Sequence, residues 1–221
     1  MDRGLKCQRL FSGAHPQVLS IIEAAGWPIW LIIITSVIAL AIIGERFWSL
    51  RQSVVAPREV LPATVQEYRA KGVTQELVNR LQGGPLVGRI FAAALVNERA
   101  PREVLKDAVE DAGRAVGLEL ERFLTTLGSI ATISTLLGLF GTIVGMIEIF
   151  GSQNPASGAG NPAQMAHGIS VALYNTLFGI GVAIPAVIFY RHFRNRVDVL
   201  VIEMESQAIK LIEIVHGERR A

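Results

Sequence analysis

The chain has 221 residues, of which 51% are apolar, with a formal net charge of +2 and a mean hydropathy of +0.41. This composition is too apolar for an ordinary soluble domain. Acidic and basic residues are interleaved, so the sequence offers no basic patch with aromatics for binding nucleic acid. One cysteine, Cys7, excludes a disulfide within the chain. The remaining class is a membrane protein.

Three long stretches almost free of charge predict three membrane spans, at 26–46, 127–150 and 168–190. A spanning helix needs about 20 mostly apolar residues. Each span must be helical, because lipid cannot satisfy an open backbone. A signal peptide is the alternative for the first stretch, but that stretch begins late and lacks a clear small-residue cleavage site.

The basic residues beside the spans predict the orientation. Arg46 and Arg51 follow the first span and three arginines follow the third, whereas the loop at 151–167 carries no Lys or Arg. The positive-inside rule therefore places the N-terminus outside and the C-terminus in the cytoplasm. The expected fold class is an all-α membrane protein with three transmembrane helices and long cytoplasmic helical extensions. The predicted segments are a periplasmic tail with an amphipathic segment (1–25), the first span (26–46), a cytoplasmic helical insert (47–126), the second span (127–150), a periplasmic loop (151–167), the third span (168–190) and a cytoplasmic C-terminal helix (191–221).

The insert should contain several helices and end in a long one. Gly83, Gly84 and Pro85 form a break. Pro101 is typical of a first helical position, and no breaker separates it from the second span. We expect one helix that leaves the insert and enters the membrane. Its apolar positions at helical spacing are Leu105, Ala108, Ala112, Ala115 and Val116.

The C-terminal segment has an apolar seam with steps of three or four residues. Charged residues fall mostly between the seam positions, so this helix needs a partner, either the insert or a neighbouring subunit. The seam positions are Phe193, Val197, Leu200, Met204, Ala208, Leu211 and Val215.

The second span carries hydroxyls along one face. Thr132, Thr135 and Thr142 share this face with Leu139 and Met146. On the same helix, Gly138, Gly141 and Gly145 surround Thr142, and the last two form a GxxxG pair that lets backbones approach closely.

The third span repeats the pattern. Its small stripe is Ala172, Thr176, Gly179 and Ala183, and Asn175 adds an amide beside it. Pro185 removes a backbone donor, so we expect a bend there, with Gly179 loosening the same region.

Two interpretations of these polar groups stay open. Thr135, Thr142, Thr176 and Asn175 are candidates for lining an ion pathway, with Glu148 at its entrance. Alternatively, the threonines bond their own helix, the glycines only pack, and Glu148 is simply solvated. No span centre carries an acid or a base, so an ion relay would need a titratable group from another chain.

Signatures of other functions are missing from the sequence. It contains no nucleophile elbow, Walker loop or dinucleotide fingerprint. Its four histidines have no metal-ligand spacing. We therefore expect neither an enzyme nor a cofactor or metal site.

Three stretches resemble the MotA/TolQ/ExbB proton channel family, most closely its ExbB and TolQ branches. They are AGWPIWLIIITSVIALAIIGERFWSLR (25–51), LLGLFGTIVGMIEIF (136–150) and GISVALYNTLFGIGVAIPAVIFY (168–190). The resemblance implies a multi-pass protein of the bacterial inner membrane. It also implies a homo-pentamer around a dimer of a single-span ExbD- or TolR-like partner, whose aspartate faces Thr142 and Thr176. Proton flow would then energise a TonB- or TolA-like protein.

One departure from the family pattern matters. Many ExbB sequences carry a glutamate five residues before the threonine of the third span, where this chain has Val171. With Asn175 nearby, coupling to Na⁺ is an alternative to H⁺. A TolQ-like role in envelope integrity and cell division is the nearest functional alternative. A passive membrane scaffold is the alternative from a different class.

Overall fold

The computed structural model describes Ile22, residues 25–151 and residues 162–215. The described residues form helices and connecting turns, without strands. In chain order the helices are α1 (Ile29–Ser49), α2 (Gln52–Val55), α3 (Val60–Lys71), α4 (Gln75–Gly83), α5 (Leu86–Val96), α6 (Arg102–Gly151) and α7 (Pro162–Val215).

Helices α1, α6 and α7 are long and apolar enough to cross a membrane, which confirms the three expected spanning helices. Helix α6 has 50 residues and α7 has 54. At 1.5 Å per residue each is roughly 75–80 Å long, well over twice the ~30 Å hydrocarbon core of a bilayer. The expectation that the second span belongs to one helix far longer than a bilayer requires is confirmed. Helix α6 begins one residue after Pro101, whose carbonyl oxygen accepts a hydrogen bond from the backbone N–H of Leu105.

The chain divides into two compact units. The span unit comprises the described residues within 1–41 and 127–188, and therefore most of α1 and the apolar parts of α6 and α7. The insert unit comprises residues 42–126 together with the described residues from Phe189 onward. Each unit has its own packing.

Within the insert unit, α4 and α5 form a tight helical pair. Thr74 caps α4, since its hydroxyl accepts from the backbone N–H of Leu77 at 3.3 Å. Helix α4 ends at Gly83 and α5 begins at Leu86, so the predicted break lies where expected. A Cβ at Gly88 would lie 2.5 Å from the carbonyl oxygen of Leu81, so the glycine permits this close approach.

The core of the insert unit is built on the predicted C-terminal seam. All but the last seam position are buried: Phe193, Val197, Leu200, Met204, Ala208 and Leu211. On α6 the expected stripe is partly wrong. Leu105 and Val116 are buried, but Ala115 is exposed, and the helix instead buries Val109 and Leu120. The pattern fails at Ala115 because alanine is apolar enough to match either face.

An arginine is buried in the insert unit near the end of α1. Arg46 is 4% exposed, and its guanidinium donates to the carbonyl oxygen of Leu120 at 3.1 Å. It also lies 2.7 Å from a carboxylate oxygen of Glu45 and 4.7 Å from the ring centre of Phe123. The charge is thus paired, as a buried guanidinium requires.

Candidate functional site

The candidate site is built on the seam between α6 and α7 in the span unit. Small or polar residues are buried on both helices at helical spacing: Ser134, Gly138, Gly141 and Gly145 on α6, and Gly168, Ala172, Asn175 and Gly179 on α7. At Gly168 the side chain of Ile149 from α6 fills the space beside the glycine, and at Gly141 the side chain of Asn175 does so.

The backbones of α6 and α7 touch along this seam. A Cβ placed on Gly179 would lie 2.6 Å from the carbonyl oxygen of Ser134 and 2.8 Å from Cα of Gly138. One placed on Gly145 would lie 2.8 Å from the carbonyl oxygen of Gly168. Such contacts leave no room for a methyl group. Gly138, Gly145 and Gly179 therefore pack two helices of the same chain against each other.

Thr176 lies at the edge of the seam. Its half-buried hydroxyl is 3.4 Å from the carbonyl oxygen of Gly138 on α6 and 3.2 Å from that of Ala172 on its own helix. A hydroxyl has one proton to donate, so it can exchange between these two acceptors. The hydroxyl of Thr176 thus reaches from α7 to the backbone of α6.

Asn175 is fully buried inside the span unit. Its amide nitrogen donates to the carbonyl oxygen of Ala25 at 2.7 Å and to that of Val171 at 2.9 Å. Its Cβ occupies the space that a side chain at Gly141 would need. This chain itself covers the amide, which favours a packing or positioning role over direct contact with an ion pathway.

The threonine stripe of α6 faces outward. Thr132, Thr135, Leu139 and Met146 are exposed, and Thr142 is half-buried. The hydroxyls of Thr135 and Thr142 donate to backbone carbonyls of their own helix, at 3.1 Å to Ala131 and 2.6 Å to Leu139. The bonding expected of a packing role is thus present, while the face itself is uncovered by this chain.

A second exposed stripe of α6 differs in chemistry from the first. It consists of hydrocarbon side chains alone: Ile133, Leu136, Phe140, Ile143 and Ile147. Lipid suits this stripe, whereas three hydroxyls in the neighbouring stripe suit water or a protein partner better. One helix thus presents a glycine seam, a threonine stripe and an aliphatic stripe.

Glu148 and Pro185 lie at exposed positions. Glu148 is in the last turn of α6, and Pro185 lies within the continuous helix α7. The bend expected at Pro185 stays a prediction, as does the entrance role of Glu148.

Sequence reasoning missed two groups of this site. Ser134 is completely buried in the seam, and its hydroxyl lies 3.5 Å from that of Thr35 on α1. Ala25 supplies the carbonyl that Asn175 binds. Ser134 stands four residues before Gly138, so seam spacing could have found it. Nothing local marks Ala25, because its partner is 150 positions away.

The site lacks an acid or a base of its own at mid-span. Among the described residues of the span unit, the acidic and basic side chains are Glu148 and His167, both near helix ends. Hydroxyls and carbonyls can carry a proton between donors or coordinate a cation, but they cannot store charge near pH 7. A charged group must come from another molecule if ions pass here.

Together, the helices and the seam define a membrane protein whose second and third spanning helices form a tightly packed pair with an outward polar stripe. Comparison with known sequences gives the particular family. The sequence model of the MotA/TolQ/ExbB proton channel family matches residues 84–206, and the chain belongs to that family.

Individual relatives agree with this assignment. The ExbB-like 3 protein of Synechocystis sp. is 34% identical over 163 residues, covering 72% of this chain and 77% of the relative. Biopolymer transport protein exbB1 of Vibrio cholerae is 29% identical over 171 residues, covering 75% and 74%. The Tol-Pal system protein TolQ of Haemophilus influenzae is 29% identical over 126 residues, covering 56% and 55%.

Proposed function

We propose that this chain is the ring-forming subunit of a proton-driven motor in a bacterial inner membrane. Five copies surround a dimer of a single-span ExbD- or TolR-like partner, which supplies the missing acid. The complex uses the proton motive force to energise a TonB-like protein for outer-membrane transport. The N-terminus is outside and the long helical extensions are cytoplasmic.

The observation that carries the proposal is the uncovered threonine stripe of α6. Thr135 and Thr142 lie on a face that this chain does not cover, beside an aliphatic stripe that suits lipid. A single-span helix with one carboxyl group would complete the stripe, because its acid can exchange protons with hydroxyls and with water held by them. Thr176 borders the same helix pair, with its hydroxyl between two carbonyls.

The similarity to the family supports the choice of ion and of role within the envelope. The family is described as a proton channel family, which favours H⁺ over Na⁺. Relatives named ExbB and relatives named TolQ both match, and two ExbB-type relatives, from Synechocystis sp. and Vibrio cholerae, cover 72% and 75% of this chain against 56% for TolQ of Haemophilus influenzae. We therefore favour the ExbB-like role over the TolQ-like role.

The test is reconstitution of the chain with its partner. The gene for a short protein with one apolar span containing an aspartate is co-expressed, the complex is purified, and its mass is measured by native mass spectrometry. Proton flux is then followed in proteoliposomes with a pH-sensitive dye. We expect a 5:2 complex, and we expect at least a 10-fold loss of flux for Thr142→Val and for Thr176→Val.

Controls separate the alternatives. Thr132→Val, at an exposed stripe position one turn before Thr135, should lower flux less than Thr142→Val. If the flux requires Na⁺, then Na⁺ rather than H⁺ is the coupled ion. Absence of any stable complex, or of any flux through the assembled complex, would reject the channel and leave a passive scaffold. Full flux after both substitutions at 142 and 176 would reject the role of the two threonines in the ion pathway.

A further inference from the structure

A short non-helical turn precedes α1, at residues 25–28. Gly26 has a φ of +73°, in the left-handed region that favours glycine, and Pro28 follows. A carbonyl group in such a turn does not accept the hydrogen bond that, in an α-helix, comes from the backbone N–H four residues later. In an apolar environment that carbonyl needs another partner, since an open backbone group is costly there.

Asn175 supplies this partner. Its amide nitrogen donates to the carbonyl oxygen of Ala25 at 2.7 Å, and Ala25 itself is fully buried. Two further contacts tie the turn to the same helices. A side chain at Gly26 would meet Val171 of α7 at 3.8 Å, and the ring of Trp27 lies edge-on to that of Phe140 of α6 at 5.7 Å.

The amide is held on three sides. Beyond Ala25 it donates to the carbonyl oxygen of Val171, and its Cβ fills the notch at Gly141. Among the described residues, its buried Oδ1 has no hydrogen-bond partner. An apolar side chain would fill the notch at Gly141 without the cost of an unpaired Oδ1, so the need to fill space does not explain why an amide stands here. The two hydrogen bonds that the amide donates do explain it.

The next residue in α7 is Thr176. The carbonyl oxygen of Asn175 and Cα of Thr176 both lie 3.2 Å from where a Cβ on Gly138 would be. A small rotation of α7 would therefore move the Thr176 hydroxyl away from the carbonyl oxygen of Gly138. Because Asn175 is bonded to the turn outside the helix pair, it fixes that rotation.

We infer that Asn175 is a positioning residue that sets the Thr176 hydroxyl for ion transfer by tying α7 to the turn at 25–28. The inference rests on the proposed function. It assigns the amide a role through Thr176 and gives it no direct contact with the ion.

The test uses the complex with its partner in proteoliposomes, with flux expressed per assembled complex. Asn175→Ala removes both donated hydrogen bonds and adds no bulk at Gly141. We expect at least a 5-fold loss of flux and a shift of about 0.5 unit or more in the midpoint of its pH profile. A role limited to stability would lower the amount of complex and leave flux per complex and midpoint unchanged.

A size exchange isolates the amide from packing. Gly141→Ala alone should lower the amount of assembled complex, because the new methyl group meets Cβ of Asn175. Adding Asn175→Gly relieves that contact and should restore complex, while flux per complex stays low because the amide is missing. Restored flux in this double variant would overturn the inference.

Other outcomes are equally decisive. If Asn175→Ala does not assemble, Asn175→Ser takes its place. Its hydroxyl can still donate to Val171 but is too short to reach Ala25. Unaltered flux and an unaltered midpoint in Asn175→Ser would overturn the inference. Normal flux in Asn175→Ala together with blocked flux in Thr176→Val would reject the inference alone. No flux from the unaltered complex would reject the proposed function and the inference with it.

Discussion

Helices α6 and α7 bury their faces by different means in the two units. In the span unit their backbones touch, with Gly179 against the carbonyl oxygen of Ser134 and Cα of Gly138. In the insert unit α7 buries large side chains such as Phe193 and Leu200, with Phe193 edge-on to Phe47 at 5.1 Å.

The proposed placement of the two units explains this difference. Water would drive large apolar side chains together in the insert unit. In lipid that force would be missing, so contact area would come from close backbone approach, which glycine permits. Side-chain packing should tolerate changes that repack, whereas backbone contact should tolerate no added atom. Two pairs of substitutions test this contrast, and two further pairs test the charged groups of the insert unit.

The largest expected effect is in the insert core. Leu200→Ala removes a fully buried side chain and should cost about 2–5 kcal/mol of stability. The neighbouring Val199 is 46% exposed, so Val199→Ala should cost less than about 1 kcal/mol. Thermal unfolding of the purified protein in detergent measures both. Similar losses for the two variants would mean that the seam of α7 is assigned to the wrong face.

In the glycine seam, a single added methyl group should lower the stability of the folded protein. Gly179→Ala should cost about 1–3 kcal/mol, at the upper end because both contacted groups are backbone. Gly181 lies on the same helix, and a methyl group added there would meet nothing within 4 Å. Gly181→Ala should therefore be neutral or stabilising. The two variants are compared by their purification yield and melting temperature. A stable Gly179→Ala protein would show that the helices can separate without cost.

Arg46 tests the pairing of a buried charge in the insert unit. Arg46→Ala removes the hydrogen bond to Leu120 and the contact with Phe123, and should cost about 1–3 kcal/mol. Arg51, which is exposed beside Trp48, provides the matched control. Equal melting temperatures for Arg46→Ala and Arg51→Ala would argue against a structural role for the buried guanidinium.

The smallest effect concerns Glu205. Partial burial first, and then the carboxylate of Glu110, raise the pKa of Glu205 above its ordinary value of about 4.5, while Arg114 partly opposes them. Because the pKa of Glu205 is higher in the folded than in the unfolded protein, its contribution to folding stability is fully present below about pH 4.5 and is lost as the pH rises through the folded pKa. Glu205→Gln should therefore melt slightly higher than the unaltered protein at pH 7 and equally near pH 4. Asp107→Asn, at an exposed position of α6, controls for charge. A difference that persists at pH 4 would contradict this explanation.

The sequence predicted those features that repeat along the chain. The three spanning helices, the break at Gly83 to Pro85 and the seam through Leu200 follow from apolar length, turn residues and spacing. Periodicity shows which residues share a face, but it does not show what covers that face. The partner of Asn175 at Ala25, the inward turn of Arg46 and the contact of Gly138 with Gly179 within one chain all depend on distant segments, so no local pattern contains them.

In the proposed complex, the threonine stripe of α6 faces the partner helix. Single cysteines at positions 132–147 of a Cys7→Ser protein, omitting the seam glycines, can be cross-linked to a cysteine placed beside the aspartate of the partner span. We predict the strongest cross-links at positions 132, 135, 139, 142 and 146. Maxima at positions 133, 136, 140, 143 and 147 would place the aliphatic stripe against the partner and contradict the account.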